Sequence, residues 1–168
     1  ISNLDVVISF RSTHSSNRNS RGSVQYPLIA IAYDSRKDKF NKIPRIFKSI
    51  HSTGTTPEGL TFEAIMKELV PGGINKDSYF LNFSDGMPMF SNDDIYYNGS
   101  EALKHTKKMT NKIRNMGVKV MSYYIGSSYA GDSSIRDFKE MYGKDAHFIN
   151  VTNVFEVAKT MNKMFLDK

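Results

Sequence analysis

Tyr79-Phe80-Leu81-Asn82-Phe83-Ser84-Asp85-Gly86-Met87-Pro88 begins as an uncharged, largely apolar run, residues 79–83, that stops abruptly at an Asp-Gly turn. Residues 79–83 have strand length, and Asp-Gly followed two residues later by Pro marks where the strand ends. The segment ahead of it, Ser52-Thr53-Gly54-Thr55-Thr56-Pro57-Glu58-Gly59, puts two hydroxyls and a proline at the start of an amphipathic helix. That helix is expected from about Pro57 to Leu69, with Leu60, Ala64, Ile65, Met66 and Leu69 inward and Pro71-Gly72-Gly73 as its end. Two start signals compete. Thr56 as N-cap puts Pro57 at the favoured first position, whereas Thr55 as N-cap forms a capping box with Glu58.

Downstream the pattern alternates. A helix from about Ser100 to Asn115 is expected to bury Ala102, Thr106, Met109, Ile113 and Met116, with Asn98 and Glu101 as its capping box and Gly117 as its stop. Val118–Ile125 is the next strand. Ser134 and Asp137 open a helix with Ile135, Phe138, Met141 and Tyr142 inward, Ala146–Asn150 is a short strand, and Asn153 with Glu156 caps a last helix. Strand–helix–strand alternation with short connections implies right-handed βαβ units and a mostly parallel sheet covered on both faces.

Upstream, Leu4 to Phe10 and Pro27 to Tyr33 are apolar, β-branched runs, separated by the Ser-, Asn-, Arg- and Gly-rich stretch Ser12 to Gln25. Two strands joined by a flexible polar loop are expected to form an antiparallel hairpin at the sheet edge. Ile43, Ile46, Phe47 and Ile50 mark a short amphipathic piece begun near Pro44.

The 168 residues are enough for one domain, residues 1–168, with a sizeable core, and 39 % hydrophobic with 24 % charged residues is an ordinary globular composition. No apolar run approaches the ~18 residues of a membrane span, so no membrane partner is expected. The absence of cysteine excludes disulfides and thiolate metal sites and fits a cytoplasmic protein. The net charge is +6, and the densest basic stretch carries Lys104, Lys107, Lys108, Lys112, Arg114 and Lys119. A solvated helix face accounts for it better than a nucleic-acid surface, because no aromatics interleave with the lysines. His14, His51, His105 and His147 fall on separate elements without zinc-ligand spacing, and His105 is expected to be exposed. Gly54-Thr55-Thr56 lacks the lysine of a phosphate-binding loop, and no nucleophile elbow is present. Asp93-Asp94 lies in a polar loop, and with Asp85 it is the starting point for an alternative, a metal-dependent phosphohydrolase.

Ligands of parallel α/β sheets sit at the carboxyl ends of the strands. Asp85 is at such an end, and Thr56 is at a helix start that faces the same rim. A hydroxyl beside a carboxylate suits a hard cation such as Mg²⁺. In this order the two segments resemble the second and third metal-binding loops of a von Willebrand factor A domain. Val120-Met121-Ser122-Tyr123-Tyr124-Ile125-Gly126 is similar to that family's late strand, and Phe148-Ile149-Asn150 to its last. The chain looks closest to the intracellular type found at the end of the cobaltochelatase CobT subunit. The resemblance implies a Rossmann-like three-layer fold and a Mg²⁺ or Mn²⁺ site with Thr56 as second-loop and Asp85 as third-loop ligand. It also implies a non-catalytic protein-binding role, in which the cation bridges to a partner's carboxylate; the implied partner is a MoxR-type AAA+ ATPase.

The family's first strand, its Asp-x-Ser-x-Ser loop and its first helix have no counterpart here. Arg11-Ser12-Thr13-His14-Ser15 is rejected as a replacement, since a cation stands where the carboxylate belongs and no helix follows. The first central strand is therefore expected to come from a missing N-terminal segment or a second polypeptide.

Overall fold

The computed structural model describes residues 4–18, 22–51, 54–69, 77–126, 131–150 and 154–166. The expected helix end at Pro71-Gly72-Gly73 and the capping residue Asn153 lie outside them. In chain order the elements are β1 (Val7–Arg18), β2 (Gly22–Asp34), α1 (Ile43–Phe47), α2 (Glu58–Ile65), β3 (Ser78–Ser84), β4 (Phe90–Ser91), β5 (Tyr96–Tyr97), α3 (Gly99–Asn115), β6 (Val118–Gly126), α4 (Asp132–Tyr142), β7 (Ala146–Asn150) and α5 (Val154–Leu166). Among the described residues no helix is long and apolar enough to cross a membrane.

The fold is mixed α/β. Its centre is a parallel three-stranded sheet in the order β3-β6-β7, with Phe83 beside Tyr123 and Tyr123 beside His147. Alternation along β3 and β6 divides their side chains between two covers. Phe80, Val118, Val120 and Tyr124 join Phe62, Leu103, Ile113, Phe138 and Tyr142 in one buried cluster under α2, α3 and α4. On the opposite face α5 packs the Phe165 ring 4.8 Å from Tyr79, and the Thr160 hydroxyl lies 2.9 Å from that of Tyr123.

β1 and β2 form an antiparallel hairpin, in register from Val7 opposite Asp34 to Arg18 opposite Gly22, with one irregularity at Ile8/Ser9. Two expectations are corrected here. Most of the polar stretch 12–25, expected as a loop, is strand. Once the apolar bases of the two strands fix the register, an antiparallel ladder needs only backbone groups, and Ser and Thr are compatible with it. The hairpin is also not the edge of one continuous sheet: among the described residues it shares no ladder with β3.

The α2 helix is shorter than its pattern suggested, passing into a 3₁₀ turn at Met66–Glu68. Phe62, at 1 % exposure, is its core residue, and Ala64 faces outward. Glu58 and Phe62, one helical turn apart, set the rotation. In α1, Pro44 sits in the first turn as expected, but Phe47 is exposed and touches Phe10 edge-on at 6.3 Å. The inward face of α3 is the expected one: Ala102, Thr106, Met109 and Ile113 are all buried.

Candidate functional site

The carboxyl end of β3 and the amino end of α2 share one rim. The Met89 N–H donates to the Thr56 carbonyl at 2.9 Å, and the Ser84 hydroxyl donates to the Glu58 carboxylate at 3.4 Å. The Thr55/Thr56 loop and the Asp85 loop are thus brought together, with Thr56 half-buried and Asp85 exposed. The hairpin holds the first loop from its other side: the Thr55 N–H donates to Thr13 Oγ1 at 2.8 Å, and Thr13 Oγ1 donates to the Thr55 carbonyl at 3.3 Å. Gly54, at φ +73°, turns the chain against Thr13, and a β-carbon there would collide with that side chain.

Neither expected cap forms. α2 starts after Pro57 with no side chain bonded to its first amides, and α3 and α4 likewise begin at Asn98 and Gly131 without side-chain caps. The Glu58 side chain, expected to reach back into a capping box, instead lies fully buried at 0 % exposure. Its Oε1 accepts from Arg11 Nη2 at 2.7 Å and from Asn82 Nδ2 at 2.8 Å. A buried carboxylate is tolerated only when paired and hydrogen-bonded, and this arrangement satisfies both conditions.

Asn82 orders the centre of the cluster. Its carbonyl oxygen accepts from Arg11 Nη1 at 2.5 Å, and its amide also donates to the Tyr142 hydroxyl at 3.1 Å. Arg11 reaches further, donating from Nη2 to the Phe83 carbonyl at 3.0 Å, with its guanidinium 5.7 Å from the centroid of the Phe62 ring. Burial, then the charge of Glu58, pushes the Tyr142 phenol well above its ordinary range, so it stays protonated. Among the described residues two buried polar atoms in this region have no hydrogen-bond partner: Arg11 Nε and Thr55 Oγ1.

The donor types at the rim, a threonine hydroxyl and a carboxylate, fit a hard divalent cation, and the Thr55 Oγ1 atom is a further oxygen without a bond. Among the described residues no three His, Asp or Glu side chains cluster as a metal site. Glu58, the acid nearest in sequence to Thr56, is held by Arg11. A cation resting on Thr56 and Asp85 would keep most of its shell as water or take it from elsewhere, which Mg²⁺ does readily.

Asp93 and Asp94 are exposed between β4 and β5, where the Asn92 side chain accepts from the Asp94 and Ile95 amides. His105 is half-buried, not exposed as expected: its Nδ1 lies 3.2 Å from the Tyr97 hydroxyl and its Nε2 lies 3.6 Å from Glu63. Lys104, Lys107, Lys108 and Lys112 are exposed on α3, and none of them forms an ion pair among the described residues.

Arg11, Glu58, Asn82 and Tyr142 were not singled out by sequence reasoning as a group. The available signal was Asn82, a polar residue in the middle of an apolar strand. No protein-family model, no curated protein and no solved structure matches this chain.

Proposed function

We propose that the chain is a von Willebrand factor A-like module that binds a protein partner through a Mg²⁺ or Mn²⁺ ion held at Thr56 and Asp85. The observation that supports it is the pairing of the two loops through the Met89 amide and the Thr56 carbonyl, at the rim where β3 ends and α2 begins. The bound cation would supply a Lewis-acidic centre with a coordination position for a partner's carboxylate. Thr56 and Asp85 provide two oxygen ligands, Glu58 is withheld by its Arg11 pair, and the hairpin fixes the Thr55/Thr56 loop through Thr13. The role is binding, not catalysis, and the partner proposed is a MoxR-type AAA+ ATPase. Titration calorimetry with Mg²⁺ tests it. Binding should appear with the wild-type chain and be lost in Asp85→Ala. Heat unchanged by that substitution, or none with the wild-type chain, overturns the proposal.

A further inference from the structure

α3 carries five basic side chains against a single acid, Glu101, and its buried face is centred on Thr106, Met109 and Ile113. At about 100° per residue, Lys104, Lys107, Lys108, Asn111, Lys112 and Asn115 share an arc of about 140° on the opposite face. All six are exposed, and together they line an open trough of about 390 Å³. Arg114 is turned out of this stripe, pairing with Asp145 and donating to the Tyr142 carbonyl.

A helix face that only has to be solvated is stabilised by mixing its charges. This one does not mix them. No acid stands three or four positions from Lys107, Lys108 or Lys112, whereas Lys108 lies four positions from both Lys104 and Lys112. Like charges at that spacing destabilise a helix. Elsewhere the chain neutralises its lysines, Lys42 with Asp38 and Lys119 with Asp77. The stripe has no such counterion among the described residues, so its charges are matched only by acids from outside.

We infer that this face of α3 docks an acidic α-helix of a partner protein, with Asp or Glu three and four positions apart along one side. Carboxylates four positions apart on a helix repeat about every 6 Å, the same interval that separates Lys104, Lys108 and Lys112 along α3. The lysine stems supply apolar contact beneath the charges. α3 presents no backbone edge for an extended segment to pair with, whereas a helix arrives with its own backbone groups bonded. A nucleic acid is the poorer match, because no aromatic ring stands in the stripe and the Arg114 guanidinium is engaged by Asp145. A membrane is poorer too, since the large apolar side chains of α3 face the core and leave none to insert. A second copy would bring the wrong charge: the net +6 repels, and α4 interleaves its Asp132, Asp137 and Glu140 with Arg136 and Lys139.

The inference makes no use of a cation, and its test is run in EDTA so that it stands or falls separately from the metal site. The probe is a fluorescently labelled peptide, three copies of Glu-Ala-Ala-Glu-Ala-Ala-Gln, added to the whole chain and read by anisotropy and by NMR amide shifts. Binding should be saturable, weaken with salt, and shift amides of residues 104–115. Replacing the stripe by Lys104→Gln, Lys108→Gln and Lys112→Gln together should weaken it by about tenfold or more. Lys39→Gln, Lys48→Gln and Lys144→Gln together, which remove the same charge from other exposed positions, should leave it unchanged. A peptide of the same composition, shuffled so that its glutamates surround the helix, should bind more weakly to the wild-type chain. That comparison decides the matter even should the stripe variant fail to fold. No saturable binding, equal binding by the shuffled peptide, or equal loss in the two triple variants would each overturn the inference. So would tighter binding to a DNA oligonucleotide or to phosphatidylserine vesicles than to the peptide.

Discussion

Arg11 and Glu58 are the pair whose loss the interior would feel most. Glu58 is fully buried and Arg11 is its only ion-pair partner among the described residues. Truncating the arginine strands a carboxylate away from water, which costs about 3–5 kcal/mol where such pairs are broken singly. Arg11→Ala should therefore lower unfolding free energy by about that much in urea titrations, and Arg11→Ala with Glu58→Gln should recover a good part of it, since a neutral amide still accepts from Asn82. Equal losses in the single and double variants would mean that the charge is not what matters. The pair was not legible in the sequence for a specific reason. Thr55-x-x-Glu58 has the form of a capping box, a purely local device, and the competing partner lies 47 positions away on a strand. That the Thr56 and Asp85 loops lie on one rim was legible, because each loop sits near an element boundary that the pattern itself announces.

At the scale of elements, the contact between α2 and α3 depends on Gly59. A β-carbon there would lie 2.9 Å from the Thr106 backbone nitrogen and 2.8 Å from His105 Nδ1, and would also meet the Tyr97 hydroxyl. Tyr97 is fixed at that crossing: its hydroxyl donates to the Ala102 carbonyl at 3.1 Å and lies 3.2 Å from Thr106 Oγ1. Alanine is the better helix former by about 1 kcal/mol, but forcing the helices apart costs about 1–3 kcal/mol. Gly59→Ala should thus lower the melting temperature; a rise would show that the helices separate freely. Elements with a clear period were legible: α3 buries the residues its 3.6-residue spacing selects, and β6 and β7 fall where the apolar runs placed them. The hairpin was misjudged because ladder pairing is a backbone property that side-chain composition does not report. The helix starts were misjudged because backbone bonds and tertiary contacts displaced the side-chain caps, as with the Glu58 amide, which donates to the Thr56 carbonyl.

At the scale of the whole molecule, the hairpin and the parallel sheet are two ladders held together by side chains. Arg11 reaches Asn82, Glu58 and Phe83, Thr13 holds Thr55, and the Asn92 amide donates to the Gln25 carbonyl at 3.3 Å. Cooperative units of a fold tend to follow such divisions, because a segment with few buried contacts opens at lower free energy than the core. Leu28 and Ile31 of β2 are about half exposed, whereas β6 runs almost wholly buried from Val118 to Tyr124. Native-state hydrogen exchange in low urea should therefore show β1 and β2 amides exchanging through one sub-global opening and β6 amides exchanging only with global unfolding. Arg11→Ala should bring the hairpin's opening to a lower free energy, since it cuts the tie to β3. If hairpin and β6 amides exchanged together in the wild-type chain, the two ladders would form one unit, and the side-chain bridge at Arg11 would be as strong a coupling as a shared strand.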